Sequence, residues 1–262
     1  MYIYIVTEPN FIDMAKQKGI IKLTGTIGDI NFYYRKGVPV ARKAGGGFNS
    51  EAIKKSPKMK RVRENSSEFG FCSRAKKVFK NSLHPFLIHY NDPTLHGRMM
   101  RLFQEIKVCD VWSERGKRTV GNGLKSDAGR KLLLDFRITP KRDVASSLMC
   151  KITFDKDNYI CRISEFNMEQ FKFYGNASHF ELRFGIVRMD FDTLSATTYM
   201  AKSRVIGKDF DSSTIALRSK DIPTGGGIKF AFLGICFYQE VSGQLEVLKA
   251  ESATGLQLLK IF

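Results

Sequence analysis

Apolar and polar positions alternate with a period of two near the start of the chain, between Gly19 and Val40. Alternation of this kind is typical of β-strands, because successive side chains point to opposite faces of a sheet. The register changes at Gly28-Asp29, a dipeptide that favours a tight turn. This pattern predicts a β-hairpin in the N-terminal region.

The period changes to a helical one after Ser56-Pro57, where the serine oxygen can cap a helix and the proline can occupy its first position. The apolar positions form one stripe that includes Phe69, and Pro85 is expected to end the helix. A second helix is predicted from Thr94 to about Val111, with Leu102 in its apolar stripe. Two helices joined by a short segment predict an αα-hairpin, with Phe69 and Leu102 in its core.

Residues 116–131 (GKRTVGNGLKSDAGRK) are rich in Gly, Lys and Arg and have no sustained period, so we expect a loop there. From Leu132 onward the period of two returns in about seven short runs without intervening helical segments, which favours an antiparallel sandwich or barrel. The clearest hairpin turn is Pro223 to Gly227. The sequence therefore predicts an α+β protein with an N-terminal β-hairpin, a central αα-hairpin and a C-terminal antiparallel β-sandwich. The runs are LLLDFRIT, CKITF, YICRISEF, HFELRFGIVRMDF, STIALRS, IKFAFLGICFYQEV and LQLLKIF.

Charge is concentrated in the middle of the chain. The 262 residues carry a formal net charge of +17, and residues 36–131 hold 22 basic and 8 acidic side chains, an excess of +14. Because the last half is close to neutral, this shift places a predicted domain boundary near Gly129. The predicted organisation is a basic region at 14–129 with the hairpin and helices, and a sandwich domain at 130–262.

The central excess of positive charge indicates contact with a polyanion such as nucleic acid, or with an acidic surface; a solvated or protein-facing band is the alternative. Phe48 and Phe71 are the main candidates for base stacking within it. Glu64 and Glu68 lie within helical reach of some of these cations and are expected to neutralise part of the band. The candidate polyanion-binding residues are Lys54, Lys55, Lys58, Lys60, Arg61, Arg63, Arg74, Lys76, Lys77, Lys80, Lys117 and Arg118.

Other groupings of chemically reactive residues are weak. His84, His89 and His96 are spaced by five and seven residues, which does not align them on one helix face, so no metal site is predicted. AGGGFNSE and PTGGGIKF match no phosphate-binding pattern and are expected to be turns or hinges. The carboxylate pairs at 155/157, 190/192 and 209/211 are typical of loop edges. We predict no catalytic residues and no cofactor.

Five widely spaced cysteines fit neither a disulfide framework nor a zinc pattern and are expected to be reduced thiols. The first residues lack a basic segment, so they do not form a secretory signal, and no membrane-spanning apolar run occurs. These features predict a cytoplasmic protein.

Several segments of the chain form a recognisable pattern: Met14 to Tyr33 (MAKQKGIIKLTGTIGDINFY), Arg42-Lys43, and Arg61 to Gly70 (RVRENSSEFG). These segments resemble an uncharacterised family of proteins common in Bacteroidetes genomes, and Ala177 to Phe180 is similar to a further element of that family. The resemblance implies an N-terminal β element, central helices and a C-terminal β-rich domain, and it implies no activity. Because the family-like start is Met14, residues 1–13 are predicted to be a dispensable extension.

These observations together predict a non-catalytic structural or assembly protein that is oligomeric, with itself or other assembly proteins as partners. A nucleic-acid-binding protein that uses the central basic helices is the alternative. The two hypotheses differ in salt response, because phosphate contacts weaken steeply with salt and apolar contacts do not.

Overall fold

The structure is a computed structural model that describes residues 14–17, 21–44, 50–219, 221 and 223–262. The contacts divide the chain into two compact units, residues 1–63 and 64–262. The predicted extension at 1–13 lies outside the described residues, as does Phe48.

The first unit contains a four-stranded antiparallel sheet, and two short helical segments follow it. The strand order is β1-β4-β3-β2, and β2 and β3 form the predicted hairpin through Gly28, whose φ of 55° suits a glycine. A 3₁₀ turn at Pro57–Met59 leads into the long helix α2. The elements are β1 (Met14–Lys16), β2 (Gly25–Ile27), β3 (Ile30–Arg35), β4 (Val38–Lys43), α1 (Ser50–Lys55) and α2 (Lys60–Ser82).

The second unit begins within α2 and contains, among the described residues, five further α-helices and two antiparallel sheets. The predicted second helix is confirmed as α4, and α2 runs through Gly70 without interruption. Its helices are α3 (His84–Leu87), α4 (Leu95–Val108), α5 (Val120–Gly123), α6 (Asp127–Leu134) and α7 (Val144–Leu148).

The loop predicted for residues 116–131 is wrong, because this segment contains α5 and α6. Side chains of Thr119 and Ser126 cap the two helices by accepting hydrogen bonds from the amides of Asn122 and Gly129. A Cβ atom at Gly123 would overlap the carbonyl oxygen of Ile106, so glycine here permits close packing of α5 on α4. Leu132 to Leu134 complete α6, so the strand predicted for LLLDFRIT is also wrong.

The strands predicted after residue 150 are confirmed, and they form two antiparallel sheets. One sheet has the order β10-β6-β5; the other has the order β12-β11-β7-β8, with β13 paired to β11 and β9 paired to β7. The strands are β5 (Lys151–Asp155), β6 (Ile160–Ser164), β7 (His179–Asp190), β8 (Ser195–Met200), β9 (Arg204–Gly207), β10 (Ile215–Arg218), β11 (Ile228–Val241), β12 (Gln244–Val247) and β13 (Thr254–Ile261).

The predicted hairpin at Pro223 to Gly227 is not formed. Strand β10 pairs with β6, whereas β11 pairs with β7, so this segment connects two different sheets. Gly227 has a φ of 108°, and a Cβ atom there would crowd the backbone of Met189.

Both faces of the six-stranded sheet are buried, which explains the long apolar runs of β7 and β11. On one face, Phe184 and Leu233 share a core with Ile163 of the three-stranded sheet. On the other face, Phe230 and Phe232 share a core with residues of α2 and α4. The α+β class is therefore confirmed, with antiparallel sheets in the C-terminal half.

The contacts place the division between the two compact units after residue 63, whereas the charge composition predicts a boundary near Gly129. Charge composition changes there, but the central helices bury their apolar faces directly against the six-stranded sheet. Elements that share a core belong to one compact unit.

The predicted burial of Leu102 is confirmed, with an exposed fraction of 5%, whereas Phe69 is 56% exposed, so its predicted place in the core is wrong. The buried apolar residues of α2 are Cys72, Ala75 and Phe79, and the helix also buries Lys76 and, one turn before Cys72, Glu68. A stripe read from apolar residues alone is misplaced when a carboxylate occupies a core position.

Candidate functional sites

The predicted polyanion-binding residues divide between the two units. In the first unit, Lys54, Lys55, Lys58, Lys60 and Arg61 are exposed. Arg63 is partly buried, and its guanidinium donates to the carbonyl oxygens of Ile53 and Ser56 at 2.7 and 2.9 Å.

In the second unit, two predicted polyanion contacts have internal partners. Lys76 is only 3% exposed. Arg118 forms a two-pronged ion pair with Glu68. The remaining candidates lie at the surface: Arg74 stacks over the ring of Phe71, Lys77 is exposed, Lys80 is partly buried, and Lys117 pairs with Glu114 at 3.1 Å.

Glu68 is the centre of a buried ion cluster that sequence reasoning did not find. Its carboxylate accepts hydrogen bonds from Lys107 Nζ at 2.8 Å and from Arg118 Nε and Nη2 at 2.8 and 3.0 Å. The amide of Gly116, which has a φ of 94°, donates at 2.8 Å. The sequence predicts that Glu68 neutralises part of the basic band through neighbours on its own helix. It does neutralise cations, but they are Lys107 on α4 and Arg118 in the segment before α5.

The pKa of Glu68 reflects this environment. Burial alone would raise it, but the hydrogen bonds from Arg118, Lys107 and Gly116 lower it from 4.5 to about 2. The carboxylate is therefore ionised at neutral pH, and the helices α2 and α4 are joined through it to the segment before α5.

Asp110 is a second buried carboxylate that contacts the segment between α4 and α5. It is 2% exposed, and its carboxylate accepts hydrogen bonds from the amides of Trp112, Ser113 and Thr119. Burial opposes its ionisation, yet these amides hold its pKa below the ordinary value. The loop between α4 and α5 is thereby fixed, and Trp112 at its tip is 62% exposed.

The sheet of the first unit has one apolar and one basic face. Residues paired directly across antiparallel strands share a face, and the pairs Ile27 with Ile30 and Tyr34 with Pro39 lie on the same face as Phe32. Ile27, Ile30 and Tyr34 are 58%, 46% and 51% exposed. We call Ile27, Ile30, Phe32 and Tyr34 the apolar face.

The opposite face of this sheet carries cations. Lys16 pairs with Val40, Arg35 with Val38, and Arg42 with Asn31. The guanidinium of Arg42 lies 5.5 Å from the ring centre of Tyr33 on this face. We call Lys16, Arg35 and Arg42 the basic face.

A cleft of about 550 Å³ lies where α2, α3 and the start of α4 meet. Its polar lining includes Lys80, His84 and Asp92, and its apolar lining includes Leu87 and Ile88. One turn before Lys80 on α2, Lys76 Nζ lies 2.9 Å from His96 Nδ1. The cleft is within the size range of small-molecule sites.

A second buried ion pair lies between the six-stranded sheet and α3. Arg183 and the hydroxyl of Tyr238 both donate to Glu181 Oε2 at 2.6 Å, and Arg183 also donates to the carbonyl oxygen of Pro85. Burial raises the pKa of Tyr238, and its hydrogen bond to Glu181 acts in the same direction. A protonated hydroxyl satisfies the carboxylate, so this cluster stabilises the packing of α3.

The other candidate groupings have structural positions. Within the described residues, no group of three or more His, Cys, Asp or Glu side chains could hold a metal ion. Asp155 and Asp190 each accept hydrogen bonds from the amides two and three residues later, which are turn contacts. All five cysteines are free thiols.

Every helix in the described ranges is too short or too polar to cross a lipid bilayer.

Comparison with known proteins gives no relative from which a function can be carried over. A scan against protein families, a search of curated proteins and a search of solved structures each return no match.

Two sequence features could have drawn attention to the buried cluster and the loop beside it, but the helical period does not register them. They are Trp112, the single tryptophan of the chain, and Glu68, the acidic residue inside the stripe of α2.

Proposed function

We propose that this protein is a non-catalytic assembly protein that self-associates through the apolar face of its N-terminal sheet. The observation that carries the proposal is the exposure of Ile27, Ile30 and Tyr34 on one face of a four-stranded sheet. Contiguous exposed apolar groups of this kind mark interaction sites.

A sheet of this size needs a covered face for stability. Antiparallel sheets commonly bury one face and expose the other. Among the described side chains of the first unit, Val40 is the one buried hydrophobic residue. It is paired with Lys16 and therefore lies on the same side of the sheet as the basic face, so it does not cover the apolar face. Covering the apolar face with another protein surface removes its hydrocarbon from water, which is favourable at about 25 cal/mol per Å².

The occupant we propose is a second copy of the chain. A two-fold axis would place the same patch on both sides of the interface, and an apolar patch is complementary to itself. The chain carries +17, which opposes self-association in general. The sheet, however, directs Lys16, Arg35 and Arg42 away from the apolar face, and Lys43, paired with Ile30, is the charged residue at its edge.

Replacing Ile30 by lysine tests the proposal, because a second cation on the apolar face, directly beside Lys43, would be desolvated and repelled on association. We expect light scattering with size-exclusion chromatography to give an oligomer mass for the unmodified protein at both low and high salt, and the monomer mass for Ile30→Lys.

The matched control is Val38→Lys, which adds the same charge at an exposed valine on the basic face. This variant should keep the oligomer mass. A monomer mass for the unmodified protein after nuclease treatment, or equal dissociation of both variants, would overturn the proposal.

The second candidate function is nucleic-acid binding, and the exposed cations of α1 and the turn after it favour it. Reversing charge at Lys54, Lys55, Lys58 and Arg61 to glutamate should reduce retention of duplex DNA and flatten its salt dependence by about 0.9 logarithmic units per lost phosphate contact. If the unmodified protein, freed of nucleic acid, shifts no duplex or single-stranded probe at low salt, this candidate is discarded.

A further inference from the structure

We propose that the cleft lined by Lys80, His84, Leu87 and Ile88 binds a small organic phosphate, with the phosphate at the Lys80 ammonium and the His84 imidazole and the organic part against the two apolar side chains. This site lies in the second unit and does not depend on the proposed self-association.

Lys76 is the first observation that points to an anion. Its side chain is almost fully buried, and the hydrogen-bond contacts of its Nζ atom are with the ring nitrogens of His96 and not with a carboxylate. Its neighbour is His96 Nδ1 at 2.9 Å, and an ammonium can only donate to that nitrogen, so the imidazole must accept there. A buried cation without an anionic partner is costly, and an anion bound nearby would reduce that cost.

The charges around Lys76 add to the same local field. Lys80 follows Lys76 by one turn of α2, so the two lysines are neighbours on that helix. His84 is the first residue of α3, and Lys80 and His84 line the cleft, with Lys76 one turn behind Lys80. Burial lowers the pKa of Lys76, and the charge of Lys80 lowers it further. Because the two lysines are one helical turn apart, their positive charges act on the same region and attract negative charge there.

The acidic residue in the cleft wall does not cancel this field. The Asp92 carboxylate is paired with Arg98 Nη2 at 2.5 Å and accepts hydrogen bonds from the amide and hydroxyl of Thr94 and from the hydroxyl of Tyr90. Its side chain is only 3% exposed. An incoming anion therefore meets the Lys80 ammonium and the His84 imidazole rather than a free carboxylate.

The composition of the lining selects the class of ligand. A phosphate monoester brings about two negative charges and three acceptor oxygens to the Lys80 ammonium and the His84 imidazole, which is more than a carboxylate brings. Leu87 and Ile88 give the organic part an apolar wall, and Ile88 is 54% exposed. The amides of Asn81 and Asn91 complete the polar lining. A cleft of about 550 Å³ has room for a ring-sized group next to the phosphate.

Titration of the full-length protein with phenyl phosphate, followed by calorimetry, tests this inference. We expect saturable binding that is stronger than that of inorganic phosphate, because only the former uses the apolar wall. Lys80→Gln should weaken binding about tenfold, the effect of losing one charge-assisted hydrogen bond. The matched control is Lys77→Gln, which removes an exposed lysine of the same helix that does not line the cleft and should bind normally.

Lys76→Met separates a binding role from a structural one. Methionine has a similar volume and no charge, so this variant should unfold at a higher temperature than the unmodified protein while binding phenyl phosphate more weakly. Absence of saturable binding at millimolar phenyl phosphate, equal affinity for inorganic phosphate, or an equal loss of affinity in Lys80→Gln and Lys77→Gln would overturn the inference.

Discussion

Replacing Glu68 by glutamine is expected to lower the free energy of unfolding by about 3–5 kcal/mol, the cost of leaving buried charges without their partner. Lys107 and Arg118 both direct their side chains at this carboxylate, and Lys107 is only 9% exposed. Glutamine keeps the shape of the side chain but removes its charge. Urea-induced unfolding of the two proteins measures the difference.

The control for this prediction is Glu114→Gln in the neighbouring loop. Glu114 also forms an ion pair, with Lys117, but its side chain is 82% exposed. Exposed pairs contribute about 0–1 kcal/mol, so this variant should remain close to the unmodified protein. Similar unfolding midpoints for Glu68→Gln and Glu114→Gln would contradict the importance of the buried cluster.

The same carboxylate makes stability depend on pH in a defined window. The pKa of Glu68 is about 2 in the folded protein and about 4.5 in an unperturbed chain, so the unfolded state binds the proton more readily. Its stabilising contribution is present above pH 4.5 and is lost as the pH falls toward 2. Unfolding measured across this range should show a smaller loss of stability in Glu68→Gln.

Replacing Phe79 by alanine is expected to cost about 3–5 kcal/mol, because it opens a cavity between the helices and the six-stranded sheet. The ring of Phe79 lies 5.6 Å from that of Phe103 on α4 and 5.3 Å from that of Phe230 on β11, between ring centres. Denaturant-induced unfolding measures the change.

Phe69→Ala is the matched control on the same helix. Phe69 is 56% exposed against 1% for Phe79, so its removal should change stability by about 0.5 kcal/mol or less. A larger loss for Phe69→Ala than for Phe79→Ala would mean that α2 packs in the register predicted from its apolar residues, and not in the one described here.

The periodicity of the sequence was sufficient where one side of an element faces solvent or where strands are long. The N-terminal hairpin, the helix containing Leu102 and the strands after residue 150 follow from period and turn residues, because side-chain direction repeats regularly along each element. The predicted cations of α1 are at the surface for the same reason.

Predictions based on glycine content and on charge were less accurate than those based on periodicity. Gly123 and Gly129 suggested a loop, yet they lie in helices that pack too closely for a Cβ atom. Arg118 and Lys76 were grouped with surface cations, because composition counts charges without locating the partners that bury them.

The amino-acid sequence by itself determined the α+β class, most strands, and the excess of positive charge in the central region. Tertiary structure alone decided that Glu68 is a core residue, that the helices and the sheet share one core, and that the N-terminal sheet presents an apolar face. The physical reason is that Glu68 is satisfied by Lys107 and Arg118, 39 and 50 residues away, and contacts over such separations are set by the folded chain and not by local periodicity.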